Sequence, residues 1–420
     1  MTQERKVDVE GMEQRKKAIV LGGTVPHIEL IRQLKARGYA VVLVDYLADS
    51  PAKRFADLHV RESTLDHDKV LEVAREQSAD LVIATCIDHA NATACDVLER
   101  LGRKPPYSYA TAIAVTDKRL MKQTMAEAGL PTSPFVTVGS PDEDVDLRYP
   151  VVVKPVDSNG NRGIRKVDDP ADIRDAIATA IAASRTGSTI VEEYVEGTET
   201  SIYAYVLHGR ARIITSNERQ VFVERATGKM PGFAMIYPCA AVDAQRDRLQ
   251  ALCDKVAAAF GLDNTPLTVQ AKIDGDKVSI IEVMPRIGGG QSYWNIRRLT
   301  GFDMIAAAID SFEGVEPDLS GIGNPEMFTA TNNIYAKAGV FAEVLGGDAL
   351  LADGTVDEFR VLRHRGDEMS GGLTSGDRAC AFVVVGADRE EVVDRSRRAF
   401  ARVEVVDGDG RDMKRADIHM

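Results

Sequence analysis

The run YPVVVKP places Lys154 at the end of an apolar strand-like segment. Burying its ammonium without an anion would be costly, so a phosphate is a natural partner. The loop that follows, VDSNGNRG, carries Ser158, Gly160 and Gly163. Its glycines let backbone amides approach phosphate oxygens and let the loop close as a lid; a surface hairpin with a rim lysine is the plainer alternative. The strand-like TIVEEYVEGTETS ends in Glu192 and Glu193, with Gly197 and Glu199 behind them. Carboxylates there can accept hydrogen bonds from an exocyclic amine or from ribose hydroxyls, although acidic clusters are also solvated faces. Gln270 and Glu282 lie on two consecutive strand-like runs, followed by Met284, Arg286 and Gly288-Gly289-Gly290. Oxygen donors on adjacent strands suit Mg2+ bridging polyphosphate oxygens, and an arginine beside them can stabilise charge on a transferring phosphoryl group.

Other features carry less. The turn LGGTVPHIEL with Asp45 closing the next strand has the outline of a dinucleotide fingerprint but lacks the third glycine. Its plainer reading is a helix N-terminus packed on a sheet, still able to take a substrate carboxylate. His27 and His89 follow strands and read either as substrate contacts or as ordinary polar loop residues. Arg225, Tyr293, Trp294 and Arg297 are equally open between substrate selection and packing. Cys86, Cys95, Cys239, Cys253 and Cys380 are scattered without C-x-x-C spacing, which fits a reducing compartment, and none is assigned as a nucleophile. No Walker A sequence occurs.

These residues must be positioned by a mixed α/β and α+β scaffold. Residues 1–16 lack hydrophobic periodicity and read as a flexible leader. Alternating apolar runs and amphipathic stretches over 17–112 predict a parallel-sheet α/β domain. Residues 113–322 form the next unit, with a small lid subdomain at about 135–196 and a hairpin turning at Asp274-Gly275-Asp276. Residues 323–420 read as a C-terminal α+β domain. A net charge of -12 from 52 basic and 64 acidic residues argues against a broad nucleic-acid footprint. With no apolar run long enough for a membrane span and no signal-like start, the expectation is a cytoplasmic protein whose partners are small molecules.

In their order along the chain, these segments resemble the ATP-grasp superfamily over about residues 17–420. TDKRLMKQTMAEAGLPTSPF resembles the family's entry to the grasp domain, which implies that Lys118 contacts nucleotide phosphates. Lys154 then corresponds to the second phosphate-binding lysine, and SNGNRG, from Ser158 to Gly163, to the flexible lid. VEEYVEG is similar to the adenine segment. This implies Glu192 for the adenine amino group, Glu193 as the near-equivalent, the Val195 backbone as a further base contact and Glu199 at the ribose. Gln270 and Glu282 take the metal-ligand positions, for Mg2+ or Mn2+, and Arg286 that of the catalytic arginine alongside Lys154. Met284 departs from the family's usual asparagine. The tail resembles the biotin-carboxylase and carbamoyl-phosphate-synthase branch. The resemblance implies an ATP-dependent carboxylate-amine ligase working through an acyl-phosphate on amino acids or similar small carboxylates and amines, with a homodimer open. The alternatives are a bicarbonate-using carboxylase or carbamoyl-type enzyme and a nucleotide-binding regulatory protein without turnover.

Overall fold

The computed structural model describes residues 15–158 and 160–420. All but the last two positions of the expected leader, and Asn159 of the glycine-bearing loop, lie outside the described residues. The first sheet is parallel, with strands ordered Leu58–Val60, Ala40–Val44, Lys17–Leu21, Leu81–Ile83. Its strands are continuous apolar runs because helices cover both faces, and Ala18 to Leu21 and Ala40 to Val44 are fully buried. Pro26, in the first turn of helix Val25–Ala36, supplies a preset φ where no intrahelical N–H bond is lost.

Two antiparallel sheets follow. The smaller orders Phe135–Val138, Thr189–Glu193, Val151–Pro155 and Arg165–Val167, backed by helix Ile173–Ala183, whose Ala176, Ile177 and Ala180 bury against Val151, Val153 and Val191. The larger has eight strands. Its first four are Lys277–Met284, Thr265–Asp274, Thr198–Leu207 and Arg210–Val221. Gly232–Tyr237, Phe328–Tyr335, Arg378–Gly386 and Glu358–Val361 complete it. The strands after residue 323 therefore extend the central sheet, and a separate three-stranded sheet of Glu368–Met369, Gly339–Leu345 and Glu404–Asp407 lies beyond. The expected hairpin forms as Thr265–Asp274 against Lys277–Met284, and its register pairs Gln270 with Glu282.

Helix Lys118–Glu127 opens the next unit, with the Asp117 carboxylate accepting from the Arg119 and Leu120 amides as cap. A short 3-10 turn, Pro170–Asp172, leads into helix Ile173–Ala183. Among the described residues, no helix is long and apolar enough to cross a membrane.

Candidate active site

A cleft of about 840 Å³ opens between the smaller antiparallel sheet and the face of the larger one. Lys118, Lys154, Ser158, Gly160, Glu192, Glu193, Val195, Glu199, Gln270, Glu282 and Arg286 all line it. Gly163 stands apart: at φ +71° it packs behind the strand, where a Cβ would come within 2.7 Å of Pro155 and 2.8 Å of Ala183. Its role is to let the loop leave the sheet closely. Gly160, at φ +68°, faces the cleft, and its carbonyl accepts from the Ser375 amide at 3.2 Å. The Asn161 amide donates to the Met230 carbonyl at 2.7 Å. The loop is thus laid over the cleft and held from two other segments.

Lys118, first residue of its helix, donates to the Ser158 carbonyl at 3.0 Å and lies 3.5 Å from the Glu282 carboxylate. It joins the loop to the hairpin. Lys154 ion-pairs with Glu192, which also takes Lys122 Nζ at 2.6 Å and the Ser133 hydroxyl at 2.9 Å. Burial opposes ionisation of Glu192, but the two ammonium groups outweigh it and hold the carboxyl far below its usual range. Burial in turn lowers the Lys122 ammonium, against the pull of Glu192. Lys122 was not anticipated from the sequence. It stands four residues after Lys118, a spacing that puts both lysines on one helix face.

Glu193, at the rim of the cleft, is held by Arg148, whose backbone amide and guanidinium both reach it at 3.1 Å. Glu199 accepts from Arg219 at 2.8 Å and from the Gln270 amide nitrogen at 2.7 Å. That bond leaves the Gln270 carbonyl oxygen as its remaining metal-binding atom. Among the described residues no three His, Cys, Asp or Glu side chains gather as a metal cage. The donor set nevertheless suits Mg2+, which takes one or two protein oxygens and completes its shell with phosphates and water. Met284 takes no part in such a set: its sulfur accepts from Arg286 at 3.2 Å.

Arg286 is the most committed side chain in the cleft. It holds Asp88 through two bonds of 2.5 and 2.6 Å, donates to the Ile287 carbonyl at 2.7 Å, and gives a fourth N–H to Met284. One of its five donors is left for a substrate. Burial opposes the charge on Asp88, but Arg286 outweighs it and keeps the carboxyl ionised. Asp88 begins helix Asp88–Arg100 just beyond the strand Leu81–Ile83, and it too was missed. A carboxylate just beyond the C-terminal end of a parallel strand is the signal that could have found it.

The weaker candidates separate. Asp45 accepts from the Gly23 and Leu47 amides, closing its own turn instead of facing a ribose. His89 is tied to the Asp157 carbonyl and to Arg185. Arg225, Trp294 and Arg297 do not line this cleft, and Tyr293 packs against the N-terminal core. All five cysteines are free thiols. His27 is fully buried beside Thr24, and burial pushes it down to about 4. The unfolded chain takes up that proton at its ordinary 6.5, so the contribution to stability is full above pH 6.5 and is lost as pH falls towards 4. The expected loss is about 3 kcal/mol. Urea unfolding at pH about 7 and about 4.5 should display it, and His27→Gln should remove that part of the pH dependence.

Residues 147–293, which include Lys154, the loop, the acidic strand and the hairpin of Gln270 and Glu282, match the family model described as an ATP-grasp domain. The chain carries an ATP-grasp domain. Behind it, residues 333–407 match the model described as L-amino acid ligase C-terminal domain 2. Two curated relatives are formate-dependent phosphoribosylglycinamide formyltransferases. That of Cupriavidus metallidurans is 29% identical over 190 residues, 43% of this chain and 47% of the relative. That of Mycolicibacterium gilvum is 27% identical over 289 residues, 64% and 69% of the two chains. The match spans about half the length of the first of these relatives. Among solved structures, the L-amino acid ligase of Bacillus licheniformis superposes with a TM-score of 0.79 at 18% identity, covering 94% of this chain and 99% of that one. The phosphoribosylglycinamide synthetase of Anaerococcus prevotii gives 0.72 at 17% identity, covering 93% and 99%. These likenesses establish the fold around the ATP-grasp domain.

Proposed function

We propose that this chain is an ATP-dependent, ADP-forming ligase that activates a small carboxylate as an acyl-phosphate and passes it to an amine. The observation that carries the reading is the convergence of Lys118, Lys154, Gln270 and Glu282 on one cleft beneath the Ser158 loop. In it, the adenine lies against the Val195 backbone and the strand end of Glu192 and Glu193, with the ribose toward Glu199. Lys118 and Lys154 meet the phosphates, Lys154 exchanging part of its contact with Glu192 for a phosphate oxygen while Lys122 keeps that carboxylate paired. Glu282 and the Gln270 carbonyl oxygen would hold Mg2+, which would supply positive charge to the polyphosphate and to the leaving group.

A carboxylate oxygen attacks the γ-phosphorus, the bond to the β–γ bridging oxygen breaks, and ADP departs with that electron pair. The amine lone pair then attacks the acyl carbon, phosphate leaves with the C–O electrons, and the nitrogen loses its proton. Arg286, fixed by Asp88, presents its last donor where charge accumulates. The Ser158–Gly163 loop keeps water from the acyl-phosphate.

The L-amino acid ligase C-terminal domain and the overall likeness to the Bacillus licheniformis ligase favour amino acids or similar acids as substrates. A second reading, formate joined to a phosphoribosylglycinamide, is favoured by the names of the curated relatives. One assay separates them. Purified protein is given Mg-ATP with pools of amino acids, with formate plus phosphoribosylglycinamide, or with bicarbonate, while ADP, phosphate and hydroxylamine-trapped acyl product are followed. The expected result is ADP and hydroxamate with amino-acid pools. ADP release with formate or bicarbonate alone would sink the amino-acid assignment.

A further inference from the structure

Residues 222–231 join strands Arg210–Val221 and Gly232–Tyr237 of the larger sheet as a hairpin end. The segment closes on itself: the Phe222 amide donates to the Pro231 carbonyl at 3.0 Å, the Glu224 amide to the Lys229 carbonyl at 2.9 Å and the Gly228 amide to the Glu224 carbonyl at 2.8 Å. Its root is fixed by the C-terminal region. Phe222 packs on the cluster of Phe233, Tyr335, Leu373 and Ile418, and the Glu224 carboxylate accepts from Arg415 at 3.1 Å.

The tip of this hairpin touches the smaller sheet. That sheet ends at strand Arg165–Val167, whose outer edge carries backbone groups in need of partners. There the Lys166 amide donates to the Gly228 carbonyl at 2.8 Å. Gly228 has φ +69°, and a Cβ on it would come within 2.1 Å of the Lys166 carbonyl oxygen, so only glycine permits the approach. Two more bonds tie the loop of the same sheet to the rest of the chain. The Asn161 side-chain amide donates to the Met230 carbonyl at 2.7 Å, and the Ser375 amide donates to the Gly160 carbonyl at 3.2 Å. The Lys166 side chain adds another contact: its ammonium lies 4.9 Å from the centre of the Tyr194 ring, and that of Lys272, from the larger sheet, 4.3 Å from the same centre. Tyr194 belongs to the link, residues 194–197, by which the chain passes from the smaller sheet to the larger. Lys166 thus meets the hairpin through its backbone and the link through its side chain.

We propose that the 222–231 hairpin is a clasp that holds the smaller sheet and its loop shut over the nucleotide, with Gly228 as its positioning residue. The use of the clasp in catalysis rests on the ligase reading of the cleft and deepens it. The Gly228 contact stabilises the closed arrangement alone, because a smaller sheet that swings open carries Lys166 away from the hairpin. It therefore raises the fraction of closed protein and slows release of whatever lies beneath. The root of the hairpin is bound to the C-terminal region through Phe222 and Glu224, so a shift in that region reaches the cover of the active site through the same short segment.

The test combines two measurements on the full chain. Hydrogen–deuterium exchange is read on the peptide that contains the Lys166 amide, and stopped-flow fluorescence follows release of a fluorescent β,γ-methylene analogue of ATP bound with Mg2+. Gly228→Ala is the main variant. Gly209→Ala is its control, since Gly209 has φ +68° and no atom of the described residues lies within 4 Å of its Cβ position, so it carries the backbone strain without the contact. Gly228→Ala is expected to speed exchange at Lys166 and nucleotide release by at least about tenfold each, and Gly209→Ala to leave both at the wild-type level. Asn161→Gly removes one tie at φ +66°, where glycine fits without strain. It should move both readouts the same way by a smaller factor, and it decides the matter if Gly228→Ala does not fold. Wild-type exchange at Lys166 in Gly228→Ala, faster exchange with unchanged release, or equal changes in Gly209→Ala would each overturn the clasp. Should wild-type protein bind no nucleotide, the ligase reading fails, while exchange at Lys166 still supports or overturns the clasp.

Discussion

Lys154→Ala is expected to reduce ATP-dependent turnover by at least about 10³-fold, the scale of losing a preorganised charge at a reacting phosphate together with its positioning. Glu282→Ala should do the same by removing the only carboxylate of the Gln270–Glu282 pair. The structure separates this loss from unfolding. Breaking a buried ion pair ordinarily costs about 3–5 kcal/mol because a charge is stranded. Glu192, however, keeps Lys122 at 2.6 Å and Ser133 at 2.9 Å when Lys154 is removed. The melting transition of Lys154→Ala should therefore stay cooperative and close to that of the wild type, while initial rates of ADP release collapse. Unchanged rates in either variant would place the nucleotide elsewhere.

Asp88→Ala is expected to act the other way round, through the fold as well as the chemistry. It strands the Arg286 guanidinium, which is 9% exposed and receives its only ion-pair partner from Asp88 among the described residues. The cost is about 3–5 kcal/mol of stability. Urea denaturation should register it as a lower midpoint, and turnover should fall further than nucleotide affinity because Arg286 loses the two bonds that aim it. Asp88→Asn, which keeps hydrogen-bonding capacity but not the charge, should fall between the two. A wild-type midpoint for Asp88→Ala would mean that the pair contributes nothing to folding.

The sequence revealed whatever was local. Apolar periodicity placed the helices, and the hairpin turn at Gly275 set the register that brings Gln270 opposite Glu282. The ordering of short motifs pointed to the ATP-grasp domain before any geometry was available. What stayed hidden depends on contacts between distant segments. Asp88 and Arg286 are 198 positions apart, and neither neighbourhood announces the other. Glu192 read as an adenine contact from its segment alone, yet its carboxylate is enclosed by Lys122, Lys154 and Ser133, which come from three different elements or loops.

The 198-residue separation of Asp88 and Arg286 also has a temporal meaning. A ribosome adding roughly 5–20 residues per second needs about 10–40 s to pass from one to the other. Throughout that interval the nascent first sheet displays an acid whose countercharge has not been made. The parallel unit can collapse early on its own apolar strands, but its cleft-facing edge stays hydrated and unlocked until the hairpin emerges. The contact that aims Arg286 therefore cannot close until most of the chain has been made, and a chain stalled before residue 286 has the first parallel sheet but not this pair.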